Sequence, residues 1–134
     1  MRLDLQELDG KETREFKGFN DRLRACLPGL NEHQCSLGRP GGFVQRLEEG
    51  TYFGHVVEHV VIELAALADV GANHGKTRYS GEARVYNVAI EYKAEQASRY
   101  LLAVAVRLVT AVLNSEVFPV GKEIWEAKTD RRAN

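Results

Sequence analysis

The chain has 134 residues, of which 44% are hydrophobic and 28% charged, and its formal net charge is -1 at pH 7. These values suit one soluble domain with a single core, and the near-neutral charge excludes a nucleic-acid binder that depends on a strongly basic surface. No apolar run approaches the ~20 residues of a membrane span, and the first residues lack the apolar h-region of a signal peptide. We therefore expect a cytoplasmic protein with neither nucleic acid nor membrane among its partners.

The first 30 residues carry patterns typical of a scaffold. Leu3 and Leu5 alternate with polar residues over residues 1–8, which predicts a short half-buried strand. Apolar residues then recur three or four positions apart from Phe16 to Leu30. This spacing predicts an amphipathic helix that ends near residue 28.

Residues 31–42, NEHQCSLGRPGG, predict a loop because glycine and proline punctuate them. We interpret His33 and Cys35 as a capping histidine and a small buried thiol, although a metal site can also use two such residues two positions apart. Glycine-rich backbone beside Arg39 is a weak signal for an anion site, since ordinary turns use the same residues. A short helix is predicted over residues 43–49, with Gly50 ending it.

The most informative segment is residues 51–69, TYFGHVVEHVVIELAALAD. It predicts a helix with Thr51 as N-cap, and because the helix is apolar nearly all round it should be buried. At about 100° per residue, His55 and His59 lie one turn apart on one face, and Glu58 is about 60° from His55. Burying these three groups costs free energy unless each finds a hydrogen bond, a counter-charge or a metal ion.

The string H-V-V-E-H fits the H-x-x-E-H order of the inverzincin metallopeptidases. Two histidines at this spacing can bind one Zn²⁺ through His55 and His59, and Glu58 can then act as general base. The alternative is a pair of core histidines that bond to Glu58 and to backbone carbonyls without a metal. The pattern by itself leaves both interpretations open.

The segment after this helix concentrates positive charge. Residues 70–84, VGANHGKTRYSGEAR, predict a loop. Lys76 and Arg78 are either solvated cations near a helix C-terminus or a rim that holds an acidic group of a substrate, for which Arg78 is better suited than Lys76.

The second half of the chain predicts a strand and a long helix. Residues 85–92 are rich in β-branched and aromatic side chains, which is typical of a strand, and residues 94–114 are an apolar helix. The order of elements predicts an α+β fold in which a small β-sheet is covered by helices, with the H-x-x-E-H helix buried at the centre. Residues 119–134 predict a polar C-terminal tail, docked through Trp125 and disordered over 128–134.

A catalytic zinc site usually takes a third protein ligand and leaves one position for water. Glu91 on the predicted strand and Glu95 at the start of the long helix are the candidates. We favour Glu95, because the third carboxylate of inverzincins comes from a later helix. Glu95 can equally pair with Arg99 one helical turn away.

Three motifs together resemble the N-terminal domain of cyanophycin synthetase, the enzyme that polymerises aspartate and arginine into a β-Asp-Arg polymer. They are GRPGGFVQRLEEGTYFGHVVEHVVIEL, GKTR and VYNVAIEYKAEQASRY, and the likeness runs over residues 1–118. The full synthetases also carry ATP-grasp and Mur-ligase-like regions, which this chain lacks, as it lacks a P-loop. The chain by itself is therefore not an ATP-dependent ligase, and it is either a fragment or a stand-alone relative.

The resemblance implies that the domain holds the polymer and cleaves it with a metal into primers for polymerisation. His55 and His59 match the metal-binding histidines and Glu58 the catalytic carboxylate. We expect Zn²⁺ on His55, His59 and Glu95 to activate a water whose proton Glu58 takes.

Polymer contacts are expected from Arg39, Lys76 and Arg78, which match motif positions, and either Lys76 or Arg78 is expected to hold an aspartate carboxylate. His74 stands where the family usually has an aromatic residue. A non-catalytic polymer-binding or structural module of a synthetase is the alternative.

Overall fold

A three-stranded antiparallel sheet covered by helices confirms the predicted α+β class in the computed structural model of this protein, which describes residues 1–71 and 74–133. Its strands are β1 (Arg2–Asp4), β2 (Gly75–Tyr79) and β3 (Val85–Ile90). The helices are α1 (Phe19–Cys26), α2 (Gly42–Glu49), α3 (Phe53–Leu67), α4 (Glu95–Leu113) and α5 (Val120–Ala133).

Strand β3 lies at the centre of the sheet, with β1 on one side and β2 on the other. Strand β2 lies inside the segment that was predicted as a loop, and that prediction is wrong. Its side chains are mostly polar and exposed at the sheet edge, so the apolar alternation that indicates a half-buried strand is missing. Pairing with β3, which sets Lys76 opposite Ala89 and Arg78 opposite Asn87, forms the strand instead.

The centre of the core is the contact between α3 and α4. Val56, Val60 and Leu64 of α3 are fully buried, as are Leu101 and Leu108 of α4. Contrary to the expectation that no apolar run approaches the length of a membrane span, α4 is, among the described residues, the one helix long and apolar enough to cross a membrane, and half of it is buried inside the protein. Its packing against α3 identifies it as a core helix.

Two boundaries differ from the predictions in the first half of the chain. The helix that was predicted from Phe16 to near residue 28 is α1, which begins at Phe19 and ends at Cys26 before a 3₁₀ turn over Pro28–Glu32, because proline at residue 28 cannot continue the α-helical hydrogen bonding. Helix α3 begins one residue later than expected, with Tyr52 as its N-cap. Thr51 instead contacts His55 in the site described below.

The predicted polar tail forms helix α5, so the expectation of disorder is wrong for residues 128–133; residue 134 lies outside the described residues. Ala127 and Glu123 are buried against α4. Glu123 accepts hydrogen bonds from the Tyr100 hydroxyl and from Arg107 of α4. Trp125 does not dock the helix, since 63% of it is exposed.

Candidate metal centre

Helix α3 presents its two histidines and Glu58 to one cavity of about 780 Å³. Glu58 and His59 are 7% and 6% exposed, while His55 is half-buried. The H-x-x-E-H pattern therefore lines a space large enough for an ion and solvent. The cavity is also lined by His33, Gln34, Cys35, Arg46, Thr51, Ile62, His74 and Gly75.

Cys35 completes a group of donors, although the sequence favoured a small buried thiol at this position over a metal ligand. Its Sγ lies 3.2 Å from Nε2 of His55, and one donor atom from each of Cys35, His55 and His59 lies within 4.8 Å of the other two. The Cys35 backbone has φ 55°, in the left-handed region that non-glycine residues rarely adopt. Such outliers concentrate at functional sites.

The donor set fits a zinc ion. Thiolate sulfur and imidazole nitrogen are the ligands that Zn²⁺ prefers, and three protein ligands beside an open space are typical of catalytic sites, which keep a fourth position for water. Here the open space is the cavity that Glu58 shares with the three donors.

Phe43 of α2 orients both histidine rings. Its fully buried ring stacks on His59 with centroids 4.1 Å apart and meets His55 edge to face at 5.6 Å. Its backbone N–H donates to the carbonyl of His33 at 3.1 Å. Phe43 thereby holds the loop of residues 31–42 against α3, which is how His33 and Cys35 reach the site.

Hydrogen bonds to ring nitrogens orient the histidines further. Thr51 Oγ1 lies 3.0 Å from Nδ1 of His55, on the opposite side of the ring from Cys35. Metal-binding histidines commonly use one nitrogen for such a contact and the other for the ion. Nδ1 of His33 lies 3.0 Å from Nδ1 of His59. His33 therefore contacts a site histidine, in addition to any capping role that the sequence favoured for it.

The carboxylate of Glu58 is held by strand β2. Thr77 Oγ1 donates to Glu58 Oε1 at 2.7 Å. A Cβ on Gly75 would lie 2.8 Å from Glu58 Cγ, so β2 approaches this closely only because residue 75 is glycine. Burial raises the pKa of Glu58 and the Thr77 hydrogen bond opposes that rise, which suits a general base.

His55 and His59 are both neutral at physiological pH. Burial, assisted by the positive charge of Arg46, lowers the pKa of His55 to about 4. Burial, assisted by His55 and His33, lowers the pKa of His59 to about 3. A neutral imidazole carries the lone pair that a metal ion needs.

These low values predict that chelator-treated protein loses stability as the pH falls from about 6.5 to about 5. In the unfolded chain a histidine has a pKa of about 6.5, so in this window the unfolded state binds protons that the folded state does not, and acid favours unfolding. Urea unfolding measured across the window checks this result. His55→Gln should make the stability fall less with decreasing pH. An equal fall in that variant and the wild type would contradict the lowered pKa of His55.

The structure does not bring Glu95 to the histidines. Its exposed carboxylate accepts from Arg99 at 2.8 Å, the i,i+4 pair that the sequence also allowed. It lines a separate cavity of about 500 Å³ with Met1, Ile90 and Leu102. Its competitor Glu91 is exposed as well. Cys35 occupies the place expected of a carboxylate because the loop of residues 31–42, rather than the start of α4, packs on this face of α3.

The three predicted polymer-binding cations also lie outside the cavity. Arg39 donates to Gln45 on the surface. Lys76 and Arg78 are exposed on the face of β2 opposite Thr77, since successive side chains of a strand alternate between faces. Arg46 of α2 is the guanidinium that lines the cavity. Its position three residues after Phe43, on the same helical face, is the signal that could have identified it.

Comparisons with known proteins agree on one family. The family described as Cyanophycin synthase-like N-terminal domain matches residues 1–114. The chain is 45% identical to a cyanophycin synthetase of Crocosphaera subtropica over 97% of its own length and 15% of that protein. Against the cyanophycin synthetase of Geminocystis herdmanii, identity is 40% over 100% of the chain and 16% of the relative. The chain thus spans about one sixth or less of these curated relatives.

Proposed function

The chain belongs to the family of cyanophycin synthase-like N-terminal domains, and on that premise we propose that it binds the β-Asp-Arg polymer and cleaves it by zinc-dependent hydrolysis. The products would be chain ends that prime polymerisation. One observation carries the proposal: Cys35, His55 and His59 converge on a cavity that also receives the Glu58 carboxylate.

Each part of a hydrolytic reaction has a candidate in the cavity. A zinc ion bound there supplies Lewis acidity toward a water and toward a substrate carbonyl. Glu58 accepts the proton of the water as the water oxygen forms a bond to the carbonyl carbon. When the carbon–nitrogen bond breaks, Glu58 returns that proton to the leaving nitrogen. Atoms and charge balance without any further reactant.

Charge in and around the cavity suits a polymer that carries carboxylates. Arg46 lines the cavity beside His55 and can hold a carboxylate next to the bond that is cut. Lys76 and Arg78 lie on the outer face of the sheet and can hold a more distant stretch of the chain. Arg39 is exposed near α2 and is a third candidate contact.

The proposed setting is a synthetase in the cytoplasm. The relatives extend far beyond this domain, and we propose that ATP-grasp and Mur-ligase-like regions are its partners. Cys26 and Cys35 form no disulfide with each other, and reduced thiols are the default in the cytoplasm.

A polymer-binding module without catalysis is the second candidate. Each site group already has a partner within the protein: His55 contacts Thr51 and Cys35, and His59 contacts His33. Such contacts satisfy buried imidazoles without an ion.

Metal content and turnover distinguish the two candidates. Purified protein is measured for zinc by elemental analysis and is then incubated with the polymer with and without a chelator, and the released chain ends are counted. The hydrolase predicts about one zinc per chain and release that the chelator stops. Protein that binds the polymer but contains no zinc and releases no chain ends would instead support the polymer-binding module.

A further inference from the structure

A buried polar chain runs from Glu63 through His33 to His59, which is one of the three donors described above. Glu63 Oε1 lies 3.0 Å from His33 Nε2, and His33 Nδ1 lies 3.0 Å from His59 Nδ1. The side chains of Glu63, His33 and His59 are 11%, 13% and 8% exposed. Neither Glu63 nor His33 has a role in the hydrolysis proposed above.

The chemistry of the three groups orders the protons along this chain. A carboxylate only accepts hydrogen bonds, so Nε2–H of His33 donates to Glu63. In a neutral imidazole the other nitrogen is then an acceptor, and His33 Nδ1 accepts from Nδ1–H of His59. The lone pair of His59 is left on Nε2, the nitrogen that lies 3.9 Å from the Glu58 carboxylate.

The backbone makes room for the first member of the chain. A Cβ on Gly29 would lie 1.9 Å from Oε2 of Glu63 and 2.8 Å from Oε1. Any other residue at this place in the 3₁₀ turn would displace the carboxylate that meets His33. The absence of a side chain at Gly29 therefore leaves the space that the Glu63 carboxylate occupies.

We propose that Glu63 and His33 are positioning residues that hold His59 in the tautomer with its proton on Nδ1 and its lone pair on Nε2. The arrangement extends the carboxylate–histidine–metal contact of many zinc sites by one imidazole. The link to metal binding rests on the proposed function, whereas the tautomer is a property of the metal-free protein.

Nitrogen NMR of the metal-free protein, uniformly labelled with ¹⁵N, reads the tautomer directly. We expect His59, assigned by loss of its signals in His59→Gln, to be protonated on Nδ1. In Glu63→Met this preference should be lost, while Glu63→Gln, which keeps an acceptor oxygen, should restore it. A proton on Nε2 of His59 in the wild-type protein overturns the proposal, even when a variant fails to fold.

Metal titration supplies a second readout. Outer-shell partners typically change metal affinity by about 10- to 100-fold, so Glu63→Met should weaken Zn²⁺ and Co²⁺ binding by such a factor and Glu63→Gln by less. Equal affinity in wild type and Glu63→Met overturns the role in binding. Wild-type protein that has the expected tautomer but binds neither ion contradicts the proposed hydrolase alone. Zinc binding and cleavage with the opposite tautomer contradict only this inference.

Discussion

Glu58→Gln is expected to stop polymer cleavage while zinc remains bound. An amide cannot take the proton of the attacking water, and loss of a general base costs about 10²- to 10⁴-fold in rate. The glutamine keeps the size of the side chain and an oxygen that can accept from Thr77, the present partner of Glu58 at 2.7 Å. Rates of chain-end release and zinc content measured on the same preparation check both parts of the expectation.

The matched control for this variant is Glu95→Gln. This substitution makes the same change of charge, but Glu95 lines the separate cavity and pairs with Arg99. The Glu95→Gln variant should therefore cleave the polymer at the wild-type rate. Unchanged cleavage by Glu58→Gln would exclude Glu58 as the base. Loss of zinc together with cleavage would leave its role in proton transfer unsupported.

Cys35→Ala is expected to remove zinc from the site. The Cys35 sulfur is one of three donors within 4.8 Å of one another, and loss of a direct ligand should exceed the ~10- to 100-fold loss of affinity that outer-shell changes cause. Elemental analysis after dialysis, followed by competition with a zinc indicator, measures the change. Cleavage should fall with the zinc content.

Two control variants separate this ligand from its competitors. Cys26 is a second partly buried cysteine but contacts the core instead of the cavity, so Cys26→Ala should keep its zinc. Glu95→Ala tests the carboxylate that the motif order favoured. Zinc retained by Cys35→Ala and lost from Glu95→Ala would restore Glu95 as the third ligand.

Local periodicity was sufficient to predict the helix that carries the site. Eleven of the fifteen residues of α3 are apolar or glycine, which predicts a buried helix, and the angle between successive residues sets His55, Glu58 and His59 on one face. The strand that became β3 and the long helix α4 were predicted for the same reason. Each pattern depends only on neighbours in the sequence.

The loop of residues 31–42 shows what local patterns omit. His33 and Cys35 precede α3 by about twenty residues, and nothing in their spacing states which helix face they meet. Phe43, which packs on both histidines, decides that contact. The sequence favoured Glu95 as the third metal ligand by motif order, whereas the structure places Cys35 beside the two histidines and Glu95 at a separate cavity.

Strand β2 likewise depends on tertiary contacts that local sequence patterns do not predict. Its polar side chains did not indicate a strand, yet its pairing with β3 turns Thr77 toward Glu58 and Lys76 and Arg78 away from the cavity. The sequence by itself determined the buried helix, its H-x-x-E-H face and the family. Only the tertiary structure decided which loop, strand and cations surround that face, because those contacts join residues far apart in the chain and depend on how whole elements pack.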